Sequence, residues 1–228
     1  MRYRLGEHLS YCEVEDRWIF LDVSQDRYFM LQEALGAAFR TLRAGGHPTK
    51  KHIDKLLESG ILAHSQDGKH DIRNVEIRIP DRSALELTSP SHSHPSPRML
   101  LEVLAIVLWT RWQLAYRPLS TILANAESWN FNDACMLGSA DLAATEDRFA
   151  VASAQFRQAR RYTPVEPSCL LDSLSLAYFL ARRGLAADIV LGVTLRPFAA
   201  HCWVQTRNLI LNETASDAHA HTPIKVIR

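Results

Sequence analysis

The stretch from Ser168 to Gly184 constrains the fold of this chain more than any other. Leu170 to Ala181 is apolar apart from Asp172, Ser173 and Ser175, so the helix it predicts has no polar face to turn toward water and must be enclosed by its own domain. The flanking residues set its ends. Pro167 stands outside, Ser168 is placed to cap the first turn, and Arg182-Arg183-Gly184 puts cations and a glycine at the negative end. Strands follow over Asp188 to Leu195, His201 to Thr206 and Leu209 to Asn212, with turns at Arg196-Pro197-Phe198 and Arg207-Asn208. The expected centre of this domain is a buried helix packed on an antiparallel sheet.

Cys169 falls at the first helical position, where unpaired amide hydrogens and the helix dipole favour a thiolate. Strand alternation places His201, Trp203 and Gln205 on one face and Cys202, Val204 and Thr206 on the other, so Trp203 shields His201 from bulk water. A cysteine in an apolar helix is by itself ordinarily a small core residue, and a strand histidine is ordinarily structural. At a helix start and a strand start together they supply a nucleophile and its base. Two groups are placed to orient that base. A two-residue turn at Arg207-Asn208 brings Asn212 to the His201 face, whereas a three-residue turn or a bulge brings Glu213 there. Either side chain can hold an imidazole.

The chain opens differently. Leu9 to Val14, Trp18 to Val23 and Arg27 to Leu31 alternate as strands of a small meander, and helical patterns follow over Glu33 to Arg43 and Thr49 to Ser59. Ile61 to Ala63 adds a short strand. From His64 to Pro97 the sequence turns polar, with an edge-strand alternation at Val75, Ile77 and Ile79, and it ends in a proline- and serine-rich run. The expected organisation is a small module over 1–80, a linker over 81–97 and a larger domain over 98–228. That domain opens with helices over Met99 to Tyr116, Leu119 to Glu127 and Ala140 to Arg161. The fold class is α+β.

Composition removes several functions. Lysine plus arginine number 26 against 25 aspartates plus glutamates, so no field draws in nucleic acid or an anionic membrane. A winged-helix-like DNA reader stays a competing class for the first module, against which its helices carry few cations beyond Lys50, Lys51 and Lys55. Cys12, Cys135, Cys169 and Cys202 lack zinc or disulfide spacing and read as reduced thiols of a cytoplasm. The polar start, Met1 to Tyr11, is no secretory signal, and the apolar run Met99 to Trp109 falls short of the ~20 residues that span a bilayer. The pairs His92/His94 and His219/His221 read as solvated linker and tail rather than metal ligands. No G-x-x-x-x-G-K-[ST] loop is present for ATP.

Cys169-Leu170-Leu171-Asp172-Ser173-Leu174, then Leu191-Gly192-Val193-Thr194, Pro197-Phe198-Ala199-Ala200-His201-Cys202-Trp203-Val204 and Leu211-Asn212-Glu213 together resemble the B proteins of lasso-peptide biosynthesis. That resemblance implies a leader peptidase with a transglutaminase-like, papain-like cysteine-protease fold, and catalytic Cys169, His201 and Glu213. Glu213 stands where the family usually has aspartate, and its position favours it over Asn212. The first module resembles the PqqD-like element that recognises leader peptides. By that likeness a precursor's leader pairs as an added strand with Arg27, Tyr28, Phe29 and Met30 and is selected by pockets near Leu56 and Leu57. The family further implies a partner cyclase of the asparagine-synthetase type and a link to ATP. The competing classes are a transglutaminase-like acyltransferase, which would join a supplied amine, and a peptide carrier in which Cys169 is only core.

Overall fold

The computed structural model describes residues 3–65, 72, 76–87, 94–129 and 139–228. They fall into two compact units, Met1–Glu76 and Ile77–Arg228. Cys135, His92 and Val75 lie outside the described residues.

In the first unit β2 (Leu9–Val14), β3 (Arg17–Asp22) and β4 (Arg27–Met30) form the expected antiparallel meander, leaving β4 at an edge. Val14 pairs with Arg17 across a two-residue turn whose residues, Glu15 and Asp16, have φ of 48° and 62°. This is the left-handed geometry that matches strand twist in a tight hairpin. A second ribbon, β1 (Tyr3–Leu5) with β5 (Leu62–His64), joins the two ends of the unit. Helices α1 (Glu33–Arg43) and α2 (Lys50–Glu58) cover the sheet, and Phe39, Leu42 and Leu56 meet Tyr11, Trp18 and Phe20 in one core. The aromatic rings there pack edge to face, Phe39 lying 5.1 Å from Tyr11 and 5.3 Å from Trp18.

The second unit begins at Ile77, earlier than the sequence reading placed it. Residues 81–87, expected as linker, are packed structure: Ser83 and Ala84 are buried, Ser83 bridges to Ile210, and α3 runs over Ala84–Leu87. Ile77 and Ile79 form no strand but pack on a core of Val190, Trp203, Ile210 and Ala218. This irregular backbone is held by single bonds such as Ala84 N–H to Ile210 C=O, 2.8 Å, and so leaves no periodic pattern to read.

Three long helices follow, α4 (Pro97–Tyr116), α5 (Leu119–Trp129) and α6 (Ser139–Arg160), then α7 (Cys169–Ala181) and the strands β6 (Asp188–Leu195) and β7 (Phe198–Gln205). The C-terminal α8 (Ala215–His219) and β8 (Thr222–Ile227) were not anticipated; β8 pairs with β6 and gives the sheet order β7-β6-β8. The anticipated strand over Leu209 to Asn212 reduces to isolated bridges at Ile210, with Gln205 and with Ser83. Helix α7 is the hub, packed on α4, α5 and α6 on one side and on β6 and β7 on the other. Its end is anchored by Arg183, whose guanidinium grips both Glu102 oxygens on α4 at 3.0 and 2.8 Å. Among the described residues α4 alone is long and apolar enough to cross a membrane. Its inner face, Val103, Ile106 and Val107, is nonetheless buried in this unit, while Leu101, Trp112 and Tyr116 are exposed.

Candidate active site

Local sequence builds the site from the start of α7. Ser168 has extended backbone geometry and its Oγ accepts the Leu171 N–H at 3.4 Å, which stops the helix from extending backward and leaves Cys169 at its first turn. The approach to this point is clamped. Buried Arg160 donates to Asp172 Oδ1 at 2.7 Å and to the Val165 carbonyl at 2.9 Å, and it also bonds Thr163. The loop before α7 and the first turn of α7 are therefore tied to one guanidinium. Sequence reasoning missed Arg160, because a charge at a helix end gives no sign of being buried.

Strand β7 brings His201 to Cys169. Glu213 Oε2 lies 2.8 Å from His201 Nε2, and the imidazole acts in turn on the Cys169 thiol. The side chains of His201 and Glu213 are 22% and 24% exposed, open enough to meet a substrate yet shielded from bulk water. The His201 ring lies 6.3 Å from Trp203, near-parallel, and 5.0 Å from His221. His221 was read as part of a tail; β8, unseen in the sequence, carries it back beside the site. Gly192 pairs with His201, and a Cβ there would sit 2.7 Å from the Trp203 ring and 3.0 Å from His221 Cβ. Only glycine fits at that position.

Asn212 and Glu213 take different jobs. The turn is the two-residue one, Thr206 N–H bonding the Leu209 carbonyl at 2.8 Å, which on simple alternation would send Asn212 to His201. The chain instead bends over residues 211–213. Asn212 folds back, its Oδ1 accepting the Val204 N–H at 2.7 Å and its Nδ2 donating to Ser173 Oγ at 2.9 Å. Ser173, fully buried, donates in turn to the Cys202 carbonyl at 2.9 Å. Asn212 thus fastens α7 to β7, and the bend delivers Glu213 to the imidazole. Glu213 is held at both ends, Oε1 by the Thr214 N–H at 3.0 Å and its carbonyl by Ser83 Oγ–H at 2.5 Å.

The electrostatics follow from these contacts. The His201 hydrogen bond, aided by the Cys202 and Leu170 amides, pulls the Cys169 thiol below the ordinary thiol range against the opposing cost of burial. The same Cys169 bond, then Glu213, raises His201 above the usual imidazole value. Burial pushes Cys12 and Cys202 up to about 12. Opposite shifts in adjacent groups favour a thiolate–imidazolium pair, and they set its pH window. Alkylation of Cys169 by iodoacetamide should rise as pH passes through the lowered thiol value, well before Cys12 or Cys202 reacts. Catalysis that needs the imidazolium should fall as pH rises through the elevated His201 value. In His201→Ala the alkylation midpoint should move back up toward that of a free thiol, read by peptide mapping of the labelled cysteine.

The leader-side residues are arranged otherwise than expected. Leu56 is fully buried in the core of the first unit and Leu57 packs against it, so Leu56 offers no ligand a pocket. A cleft of 660 Å³ lies elsewhere in that unit, between Arg17, Trp18, Met30, Leu31, Gly36 and Arg40. Met30, 48% exposed, is the β4 residue that lines it. Phe29 stacks on Phe20 with ring centroids 5.3 Å apart, and Arg27 lies over Phe29. Among the described residues no cluster of histidine, cysteine and carboxylate side chains is arranged to hold a metal.

A thiol at the start of a buried helix, an imidazole on the adjoining strand and a carboxylate behind it are the parts of thiol-dependent peptidases and acyltransferases. Residues 111–226, which contain this constellation, match the family described as Transglutaminase-like superfamily. The chain belongs to that superfamily, whose members include cysteine peptidases and acyltransferases. No curated protein and no solved structure matches the chain.

Proposed function

We propose that this protein is a cysteine peptidase that binds and removes the leader of a ribosomally made precursor peptide, as the B proteins do in lasso-peptide maturation. The observation that carries the reading is the 2.8 Å contact of Glu213 with His201 and the coupling of that imidazole to Cys169 at the head of α7. The Cys169 thiolate attacks the carbonyl of the leader's last residue, and the backbone amide at the head of α7 stabilises the oxyanion. Imidazolium His201 gives its proton to the departing core amine. Neutral His201 then takes a proton from water, the hydroxide attacks the thioester, and the leader leaves as a free acid while the thiolate re-forms. Glu213 holds the ring and stabilises its cationic form.

The leader is assigned to the first unit, along β4, the edge strand of its sheet among the described residues, with an apolar side chain in the Trp18–Met30–Gly36 cleft. A cyclase of the asparagine-synthetase type would then take the freed amine, and any ATP used in the pathway would act there.

The test is the purified chain with the precursor encoded beside its gene. The expected product is free leader acid. Leader joined to an added amine would make the protein an acyltransferase instead, and no reaction at all would leave a carrier. Met30→Asp should raise KM by about tenfold through the lost apolar contact, ~1.4 kcal/mol, with kcat and the Cys169 alkylation rate unchanged. An unchanged KM would remove the cleft from the binding site.

A further inference from the structure

Gly192 sits at the middle of a row that runs across the sheet. It pairs with His201 of β7 on one side and with Pro223 of β8 on the other, and backbones two strands apart lie about 10 Å from each other. A side chain on the central residue would fill the space between its neighbours. With glycine there, the Trp203 ring enters over β6, and His221, two residues before Pro223, comes to 5.0 Å from the His201 ring, centroid to centroid. The site thus contains a second imidazole, placed beside the base.

Its tautomer follows from one contact. His221 Nδ1 lies 2.8 Å from the Asp217 carbonyl oxygen. A carbonyl only accepts, so Nδ1 carries a proton and, in the neutral ring, Nε2 carries the lone pair. His221 is partly exposed, and among the described residues nothing donates to Nε2. The carboxylates nearby are already engaged. Glu213 meets His201 through Oε2 and the Thr214 N–H through Oε1, and Asp217 Oδ2 accepts the Thr214 hydroxyl at 2.7 Å. His221 Nε2 is the acceptor left beside His201.

We infer that His221 positions the water that hydrolyses the acyl-enzyme, and so directs the thioester to water rather than to an amine. The inference rests on the peptidase reading. Ring centroids 5.0 Å apart let one water bond a nitrogen of each ring at about 2.9 Å. One O–H of that water donates to His221 Nε2, and the other gives its proton to neutral His201. The oxygen bonds the thioester carbonyl carbon, the C–S bond breaks, and the sulfur leaves as thiolate beside an imidazolium. The first attack, by Cys169 on the peptide carbonyl, uses no water. His221 therefore acts only after the amine has left.

Turnover of p-nitrophenyl acetate reads the two half-reactions separately. The initial burst of nitrophenolate reports acetylation of Cys169, and the steady release reports hydrolysis of the acetyl thioester. In His221→Phe the burst should keep the wild-type rate, while the steady rate falls about tenfold for the lost hydrogen bond to the reacting water. KM should fall with kcat and leave kcat/KM unchanged, a split that a general loss of structure would not produce. His221→Gln, whose Oε1 supplies an acceptor in place of Nε2, should recover most of the steady rate. Added hydroxylamine, which attacks the thioester through nitrogen, should divert more acetyl to hydroxamate in His221→Phe than in the wild type. A steady rate at the wild-type value in His221→Phe, or a burst slowed in parallel with it in both variants, would overturn the role. Failure of the peptidase reading shows separately, as an acetyl thioester that decays with this His221 dependence in a chain that releases no leader from the precursor.

Discussion

Cys169→Ala is expected to lower leader release by at least about 10⁴, because a thiol peptidase without its sulfur keeps only binding and oxyanion stabilisation. Precursor affinity should stay at the wild-type level, since the leader is assigned to the first unit. Mass spectrometry of the released leader measures the first quantity and calorimetry the second. Cys12→Ser and Cys202→Ser should retain turnover. Both thiols are buried, with values pushed up to about 12. Full release of leader by Cys169→Ala would falsify the nucleophile assignment and, with it, the mechanism.

Glu213→Ala is expected to lower the single-turnover rate by roughly 10² to 10⁴, about 3 to 5 kcal/mol in the barrier. The 2.8 Å contact with Nε2 is the group's only link to the chemistry, so the effect should fall on kcat and on the elevated His201 value rather than on substrate affinity. Glu213→Asp should keep much of the rate. Asn212→Ala should act through stability, since its side chain joins Val204 to Ser173 and not to the imidazole. A loss of about 1 to 2 kcal/mol in denaturant unfolding with the rate largely kept is the expected result. A crippled Asn212→Ala beside a near-normal Glu213→Ala would reverse the two roles.

The local features of the fold could be read from the sequence because they are written in single segments. The Ser168 cap, the apolar run behind Cys169 and the β7 alternation each depend on neighbours a few residues away. What could not be read depends on partners far along the chain. Ser83 reaches the Glu213 carbonyl, β8 adds to β6 and brings His221 to His201, and Arg160 buries its charge against Asp172. Leu56 shows the same limit from the other direction. Helical spacing gave its face, but only packing against Tyr11 and Phe39 shows that this face is core and not a binding pocket. The choice between Asn212 and Glu213 turned on a bend at residues 211–213 that alternation cannot anticipate.

The side-chain amide of Asn212, bridging helix and strand, also bears on when the Cys169 thiol becomes reactive. Cys169, His201 and Glu213 sit on three separate pieces of chain that touch only once α7 has docked on β7 and the bend has closed. A nascent or unfolded polypeptide carries an ordinary thiol, mostly protonated at neutral pH and slow toward carbonyls. Reactivity is therefore a product of folding. Its appearance after dilution from denaturant, followed with a fluorescent iodoacetamide, would serve as a clock for the last native contacts to form.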